Sequence, residues 1–227
     1  MQYIGSKTQI LDQILPIMLR ARGKRTWVEP FVGGANVIQA VKDKRIGNDA
    51  HPELIALLKA VSNGYIPPDT ITKSEYNKIK NNQDNYPPEL VGFVGFLCSF
   101  GSKWYGGYAH NTKGSNYAAL GCRALLKQAP LLRGIDFRCG GYNRLDIPDK
   151  SLVYCDPPYK STQVYTDTIN HEKFFDWCRS LANQNHIVYV TEYEMPKDFT
   201  LIRRISHTSK LNLNNKEDRV EKLFTLV

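Results

Sequence analysis

The fold of this chain is decided by residues 26–37, which read TWVEPFVGGANV. The apolar run predicts a strand over Thr26–Phe31, and the glycine pair that follows predicts a tight turn into a helix. A second strand over Lys44–Asp49 and a second helix over His51–Ser62 come next. Alternating strands and helices predict a parallel α/β sheet. The side chains expected on the inner face of the helix after the turn are Val37, Ile38 and Val41.

The α/β pattern resumes near residue 135. We expect buried strands over Ile135–Cys139, Ser151–Cys155 and His186–Thr191, a helix over Glu172–Asn183, and a closing, antiparallel pair over Phe199–Ile205 and Lys222–Val227. The chain also begins with a predicted helix. Ser6 and Gln9 have the spacing of a capping box ahead of an apolar face, and we expect Pro16 to end or kink this helix.

Residues 63–134 differ in character, being rich in Tyr, Asn, Pro, Lys and Gly. We interpret them as an inserted, largely helical subdomain. The catalytic domain would then consist of residues 1–62 and 135–227, and the fold class would be α/β with a Rossmann-like sheet.

Composition and charge narrow the function classes. With 42% hydrophobic and 23% charged residues, the chain is an ordinary globular protein rather than a disordered or fibrous one. Thirty Lys and Arg against 22 Asp and Glu leave a net charge of +8, which suits a polyanionic partner but also fits a basic protein without one. The five cysteines form no C-x-x-C pair, so we expect neither a metal site nor disulfides. Without a membrane-spanning stretch or a signal peptide, we expect a cytoplasmic protein.

Two candidate binding positions follow the first two strands. The glycine turn after Phe31 lacks the dinucleotide and phosphate-loop patterns, so it suits a nucleotide-like ligand without a pyrophosphate, or else is a plain strand-to-helix turn. Asp49, at the end of the second strand, is placed to accept hydrogen bonds from ribose hydroxyls, or else to cap the helix that follows.

A third candidate site is the sequence DPPY at residues 156–159, directly after a buried strand. Its prolines stiffen the backbone and leave carbonyl oxygens as acceptors. The Asp156 carboxylate, the Pro157 carbonyl and the Tyr159 ring could together hold an exocyclic amine and stack on its base. The alternative is a polar turn that closes a strand.

Taken in order, these motifs resemble the Dam-like DNA adenine-N6 methyltransferases, which have the alpha-class motif order and use S-adenosylmethionine. The residues that carry the resemblance are YIGSK (3–7), VEPFVGGANV (28–37), GNDAHPEL (47–54), VYCDPPY (153–159) and Thr191-Glu192-Tyr193. The resemblance is weakest from about residue 63 to residue 134. It also departs at Ala35, where the family often has a third glycine, so we expect weaker or shifted packing of the cofactor there.

The resemblance implies roles for particular residues. The catalytic set would be Asp156, Pro157 and Tyr159. The set implied for binding S-adenosylmethionine is Tyr3, Gly5, Lys7, Phe31, Gly33, Gly34, Asp49, Asp146 and Asp156. Asp149 lies close to Asp146 in the sequence, which leaves that assignment looser than the others.

The implied reaction is direct transfer of the methyl group to N6 of an adenine flipped out of duplex DNA. A cytosine-N4, RNA or protein-amide methyltransferase is the first alternative, and a catalytically silent DNA-binding module is the second. The loop from Ser102 to Lys113 is expected to meet DNA through Lys103, Tyr105 and Lys113, unless it is simply solvated. We expect double-stranded DNA as the partner, no membrane, and a monomer or weak dimer; a cognate restriction endonuclease stays open.

Overall fold

One twisted sheet organises the protein. The computed structural model describes residues 1–112, 114–159, 169–207 and 219–226. The strands run in the order β3-β2-β1-β4-β5-β7-β6. Their bounds are Trp27–Glu29 (β1), Arg45–Asp49 (β2), Ile135–Cys139 (β3), Leu152–Cys155 (β4), Ile187–Glu192 (β5), Thr200–His207 (β6) and Arg219–Leu226 (β7).

Strand direction confirms the predicted fold class. Strands β1 to β5 are mutually parallel, whereas β7 runs antiparallel to both β5 and β6. The predicted closing pair is therefore present, with β7 inserted between β5 and β6. Because the chain moves outward from β1 through β2 to β3 and then returns to β4, the carboxyl ends of β1 and β4 form the switch point at which α/β folds bind ligands.

Helices cover both faces of the sheet. Their bounds are Leu11–Arg22 (α1), Pro52–Ser62 (α2), Lys73–Asn81 (α3), Pro88–Leu97 (α4), Tyr117–Leu132 (α5) and His171–Asn183 (α6). Two apolar clusters fill the space between helices and sheet, one centred on α2, α4 and α5 and the other on α6. No helix in the described ranges is long and apolar enough to cross a membrane.

Pro16, which we expected to end or kink the first helix, does not end it. Helix α1 begins at Leu11, after a 3₁₀ turn capped by Ser6, and continues through Pro16 to Arg22. Proline removes one backbone donor and leaves the carbonyl of Asp12 without its helical partner. Both residues are exposed, so water can bind that carbonyl, while the buried side chains of Ile14 and Met18 hold the helix against the core.

The helix predicted after the glycine turn is only a 3₁₀ turn over Ile38–Ala40. The predicted inner side chains Val37, Ile38 and Val41 are buried as expected. However, Ala35 has a φ of 56° and Asp43 a φ of 66°, so the chain leaves helical geometry on both sides of this segment. Periodicity thus identified the buried face but not the length of the element.

The block 63–134 is built into the core. The regular elements in its described part are helices, joined by loops, and an isolated antiparallel bridge links Ser99 to Tyr108. Gly92 of α4 lies so close to the carbonyl of Glu53 in α2 that a Cβ would not fit there. In α5, Gln128 donates a hydrogen bond of 2.9 Å to the carbonyl oxygen of Gly34. This block therefore helps to position the glycine turn.

Candidate active site

The acidic residue of DPPY lies at the switch point of the sheet. Asp156 immediately follows β4, and β4 pairs with β1, whose last residue is Glu29. Both carboxyl groups are largely withdrawn from water, and burial raises the pKa of Asp156 and, much more strongly, that of Glu29. The Nε1 of Trp27 donates to Glu29 at 2.8 Å, which satisfies one of its oxygens.

Two donors hold Asp156 by the same oxygen. Lys7 Nζ lies 3.0 Å from Oδ1, and Thr191 Oγ1 donates to Oδ1 at 2.8 Å. Tyr154 Oη lies 3.1 Å from Thr191 Oγ1; since the threonine proton goes to Asp156, the tyrosine hydroxyl donates in that pair. Within the described ranges Oδ2 has no hydrogen-bond partner, so the carboxylate is oriented yet keeps one oxygen for a ligand.

Lys7 is a buried cation shared by two carboxylates. It is 6% exposed, donates to the carbonyl of Gly5 at 3.0 Å, and lies 3.6 Å from Oε2 of Glu221. Burial alone would lower the pKa of Lys7, but the charges of Asp156 and Glu221 outweigh it and raise that pKa. The resemblance implied a cofactor-side role for Lys7; the structure places its ammonium directly on the DPPY carboxylate.

Tyr159 completes this cluster. Its hydroxyl donates to Glu221 Oε2 at 3.3 Å, and its ring packs edge-on against Tyr193 with centroids 4.8 Å apart. The ammonium of Lys7 lies over the ring, 4.7 Å from the centroid. Glu221 was missed by the sequence reasoning, because it belongs to no motif and sits in a strand near the end of the chain.

The glycine turn and Asp49 form the second half of the site. The Asp49 carboxylate accepts from the backbone N–H of Gly33 at Oδ2 (3.0 Å) and from that of His51 at Oδ1 (3.1 Å). Burial raises the pKa of Asp49, and these two donors oppose the shift. Each oxygen keeps a second lone pair, so the group can still accept from a ligand.

Tyr3 lies across the glycine turn. A Cβ on Gly33 would come within 2.8 Å of the Tyr3 ring, and one on Gly34 within 2.7 Å of its Cβ. Asn36 ties this N-terminal segment down by donating to Ser6 Oγ at 2.9 Å. The glycines are therefore required for the close approach of Tyr3, and the sequence reasoning assigned Asn36 no role.

The remaining predicted cofactor residues are Phe31, which follows β1, and Asp146, which lies in the loop between β3 and β4. Phe31 packs against Tyr142 and Phe174, with centroids 5.2 and 5.7 Å away. Asp146 is exposed, and its backbone carbonyl accepts from Arg138 at 2.7 Å. Asn48, which the sequence reasoning missed, fastens the strand ends by donating to the carbonyls of Pro30 (3.0 Å) and Gly140 (2.9 Å).

The predicted DNA loop is anchored at three buried residues, Ser102, Tyr105 and Ala109, and is otherwise exposed or partly exposed over its described length. Lys103 is exposed. Tyr105 is only 8% exposed, with its ring against Tyr76 and Trp104, and this placement argues against direct contact of its side chain with DNA. Lys113 lies outside the described residues.

Fold and site together define a class of protein. A parallel sheet with an antiparallel β7, a glycine turn after β1, an acid after β2 and an oriented Asp-Pro-Pro-Tyr after β4 make this a Rossmann-like methyltransferase.

Comparisons with known proteins give the particular family. Residues 3–91 match the family model of D12 class N6 adenine-specific DNA methyltransferases. The chain is 26% identical over 211 residues to the type II methyltransferase M.MjaIII of Methanocaldococcus jannaschii, covering 77% of this chain and 73% of that protein. It is 23% identical over 207 residues to the type II methyltransferase M.FokI of Planomicrobium okeanokoites, covering 79% of this chain and 31% of that longer protein. These comparisons support the resemblance: the matched family model describes adenine-N6-specific DNA methyltransferases and both relatives are type II methyltransferases, a class of enzyme that acts on DNA and requires a methyl donor.

Proposed function

We propose that this enzyme transfers the methyl group of S-adenosylmethionine to N6 of an adenine flipped out of duplex DNA, with Asp156, Pro157 and Tyr159 as the catalytic set. The observation that carries the proposal is the Asp156 carboxylate, which is held through Oδ1 by Lys7 and Thr191 and keeps Oδ2 for a ligand.

The residues around the glycine turn fit the proposed methyl donor. Tyr3 lies against a turn whose glycines leave no room for a Cβ, and Asp49 keeps lone pairs for hydroxyl donors. The proposed set around these residues comprises Gly5, Lys7, Phe31, Gly33, Gly34 and Asp146, with Asp156 between donor and base. S-adenosylmethionine would supply an electrophilic methyl group on a sulfonium that leaves as a neutral thioether.

The base side of the site suits an exocyclic amine. One N6 hydrogen would be accepted by Asp156 Oδ2 and the other by the carbonyl oxygen of Pro157, while Tyr159 stacks on the ring. As the new N–C bond forms and the S–C bond breaks, the nitrogen would gain positive charge, which the carboxylate stabilises more strongly than it stabilises the neutral amine. One N6 proton would then pass through Asp156 Oδ2 to solvent, which leaves neutral N6-methyladenine. Such differential stabilisation accelerates the chemical step itself.

The ionisation of Asp156 is central to this role. The carboxylate anion only accepts hydrogen bonds, whereas the protonated acid also carries an O–H donor. Burial favours the protonated acid, whereas the Lys7 charge and the Thr191 hydroxyl favour the anion. The Lys7 ammonium therefore favours the charged form of a largely buried carboxylate.

We further propose that residues 63–134 read the target sequence, with Lys103 as a phosphate contact. Lys113 is retained in this proposal, whereas for Tyr105 the buried ring favours a role in holding the loop. The two relatives are named type II methyltransferases, which supports a restriction-modification setting with a cognate endonuclease. The enzyme would act as a monomer or weak dimer in the DNA-containing cytoplasm of a bacterial cell or infected host.

The test is methyl transfer from labelled S-adenosylmethionine to unmethylated duplex DNA, with nucleosides identified by mass. We expect N6-methyladenine from the wild type and none from folded Asp156→Ala. Retained turnover in Asp156→Ala would contradict the assigned catalytic set, and a different methylated product would contradict the assigned target atom.

A further inference from the structure

We infer that Glu221 is a positioning residue for methyl transfer: it shares the Lys7 ammonium with Asp156 and fixes the hydroxyl of Tyr159. This inference rests on the catalytic roles proposed for Asp156 and Tyr159.

Glu221 contacts both Lys7, which holds Asp156, and Tyr159. Its Oε2 lies 3.6 Å from Lys7 Nζ and accepts from Tyr159 Oη at 3.3 Å. Glu221 is 8% exposed, and it lies on β7, which is anchored in the sheet by pairing with β5 on one side and β6 on the other. A carboxylate fixed in this way can hold the Lys7 ammonium and the Tyr159 hydroxyl in constant positions relative to each other.

The charges around Lys7 explain why a second carboxylate matters. If Lys7 and Asp156 formed a pair on their own, the positive charge of the ammonium would offset the negative charge of the carboxylate. Asp156 would then be a weaker acceptor for an amine. With Glu221 present, one cation faces two anions, so the three groups together keep a net negative charge. That charge favours binding of the amine and stabilises the positive charge that develops on it. Among the described residues, the groups that face Asp156 are Lys7, Thr191, Glu221, Glu29, Tyr154 and Tyr159.

Tyr159 depends on Glu221 for its orientation. A stacking platform contributes most when its ring is already fixed, because immobilising a side chain on binding costs free energy. The Glu221 hydrogen bond and the edge contact with Tyr193 restrain the ring from two sides. Loss of the Glu221 carboxylate should therefore affect the chemical step more than DNA binding, which also depends on contacts elsewhere.

The experiment compares Glu221→Gln with wild type in steady-state methylation of duplex DNA across pH. The amide keeps an acceptor for Tyr159 but removes the charge. We expect kcat to fall about ten- to a hundredfold with KM values for DNA and donor within about threefold. We also expect the acid limb of kcat to move to lower pH, because the Glu221 charge raises the pKa of Asp156.

Control variants separate the possible outcomes. Glu172→Gln makes the same charge change at an exposed position in the first turn of α6 and should leave kcat and its acid limb unchanged. A folded Glu221→Gln with wild-type kcat and acid limb would overturn the inference. If Glu221→Gln does not fold, Glu221→Asp keeps the charge but withdraws it from Tyr159 Oη, and a wild-type kcat in that variant would overturn it instead.

Asp156→Asn, assayed alongside, distinguishes this inference from the proposed function. An inactive Asp156→Asn together with a wild-type-like Glu221→Gln overturns only the role of Glu221. An active Asp156→Asn overturns the catalytic assignment on which that role rests.

Discussion

Lys7 Nζ lies 3.0 Å from Asp156 Oδ1, and this contact joins the N-terminal segment to the carboxyl end of β4. Side-chain exposure is 5% for Lys7 and 20% for Asp156, so the pair is poorly screened by solvent. Two motifs that are far apart in the sequence thus form one electrostatic unit, in which the lysine charge opposes the effect of burial on the pKa of the carboxylate.

We expect Lys7→Met to move the acid limb of kcat to higher pH. The Lys7 charge lowers the pKa of Asp156 against the effect of burial, so its removal raises that pKa further and protonates the acceptor at a higher pH. At pH 7 we expect kcat to fall at least about tenfold. The free energy of unfolding should also fall, by about 3 kcal/mol, because a buried charge loses its partner.

The measurement for Lys7→Met is a pH-rate profile combined with urea unfolding. Lys24→Met is a matched control, because Lys24 is exposed and precedes the amino end of β1, away from the site. An acid limb unchanged from wild type in folded Lys7→Met would contradict the electrostatic role. The opposite shifts expected for Lys7→Met and Glu221→Gln make the two tests complementary.

Thr191 supplies the second restraint on Asp156, and its hydroxyl is the feature to remove. Thr191→Val keeps the shape but leaves both Asp156 Oδ1 and the Tyr154 hydroxyl without this partner. We expect kcat to fall about tenfold and the free energy of unfolding to fall by about 2 kcal/mol, because buried polar groups lose hydrogen bonds. Thr191→Ser keeps the hydroxyl and should retain most of both. Equal kcat values for the two variants would show that the hydroxyl does not orient Asp156.

Burial of Glu29 predicts how the free energy of unfolding changes with pH. Burial raises its pKa well above the usual range, so the protonated form is favoured in the folded state. The resulting stabilisation is complete below the ordinary carboxyl pKa of about 4.3 and is lost as pH rises through the raised folded value. Glu29→Gln does not titrate and keeps an acceptor for Trp27 Nε1. We therefore expect Glu29→Gln to be more stable than wild type at pH 8, by about 1 kcal/mol or more.

Urea unfolding at pH 5 and pH 8 checks the Glu29 prediction. The stability gain of Glu29→Gln over wild type should be larger at the higher pH, whereas exposed Glu172→Gln should show no such gain. A gain that does not change between the two pH values would mean that the carboxyl group is not protonated in the folded state.

Much of the sheet could be predicted because its strands are short buried runs bounded by turns. The strand over Ile135–Cys139 is confirmed to the residue, and the bounds of β2 and β4 differ from prediction by one residue each. Local patterning also located the glycine turn and Asp49, since both are properties of a strand end.

The remainder of the site depends on contacts that local patterning does not encode. Glu221 reaches Lys7 only because β7 inserts between β5 and β6, and nothing in its own neighbourhood distinguishes it from a surface glutamate. Tyr105 was interpreted as a DNA contact because it lies in a glycine-rich loop, yet its ring fills space beside Tyr76. The positions of the Glu221 and Tyr105 side chains both depend on tertiary packing.

Ala35 carries the last prediction, because it has a φ of 56° in the left-handed region and is fully buried behind the glycine turn. An L-residue there costs about 1–2 kcal/mol. Ala35→Gly removes this strain but gives the unfolded chain more freedom, worth about 0.4–1 kcal/mol, so we expect a net stabilisation of about 0.5–1 kcal/mol. Ala40→Gly, in the adjacent 3₁₀ turn, should instead destabilise by about 0.5–1 kcal/mol. Thermal and urea unfolding of both variants give the comparison. If Ala35→Gly lost as much stability as Ala40→Gly, the alanine would not be strained, and the departure from the family's third glycine would have no cost to the fold.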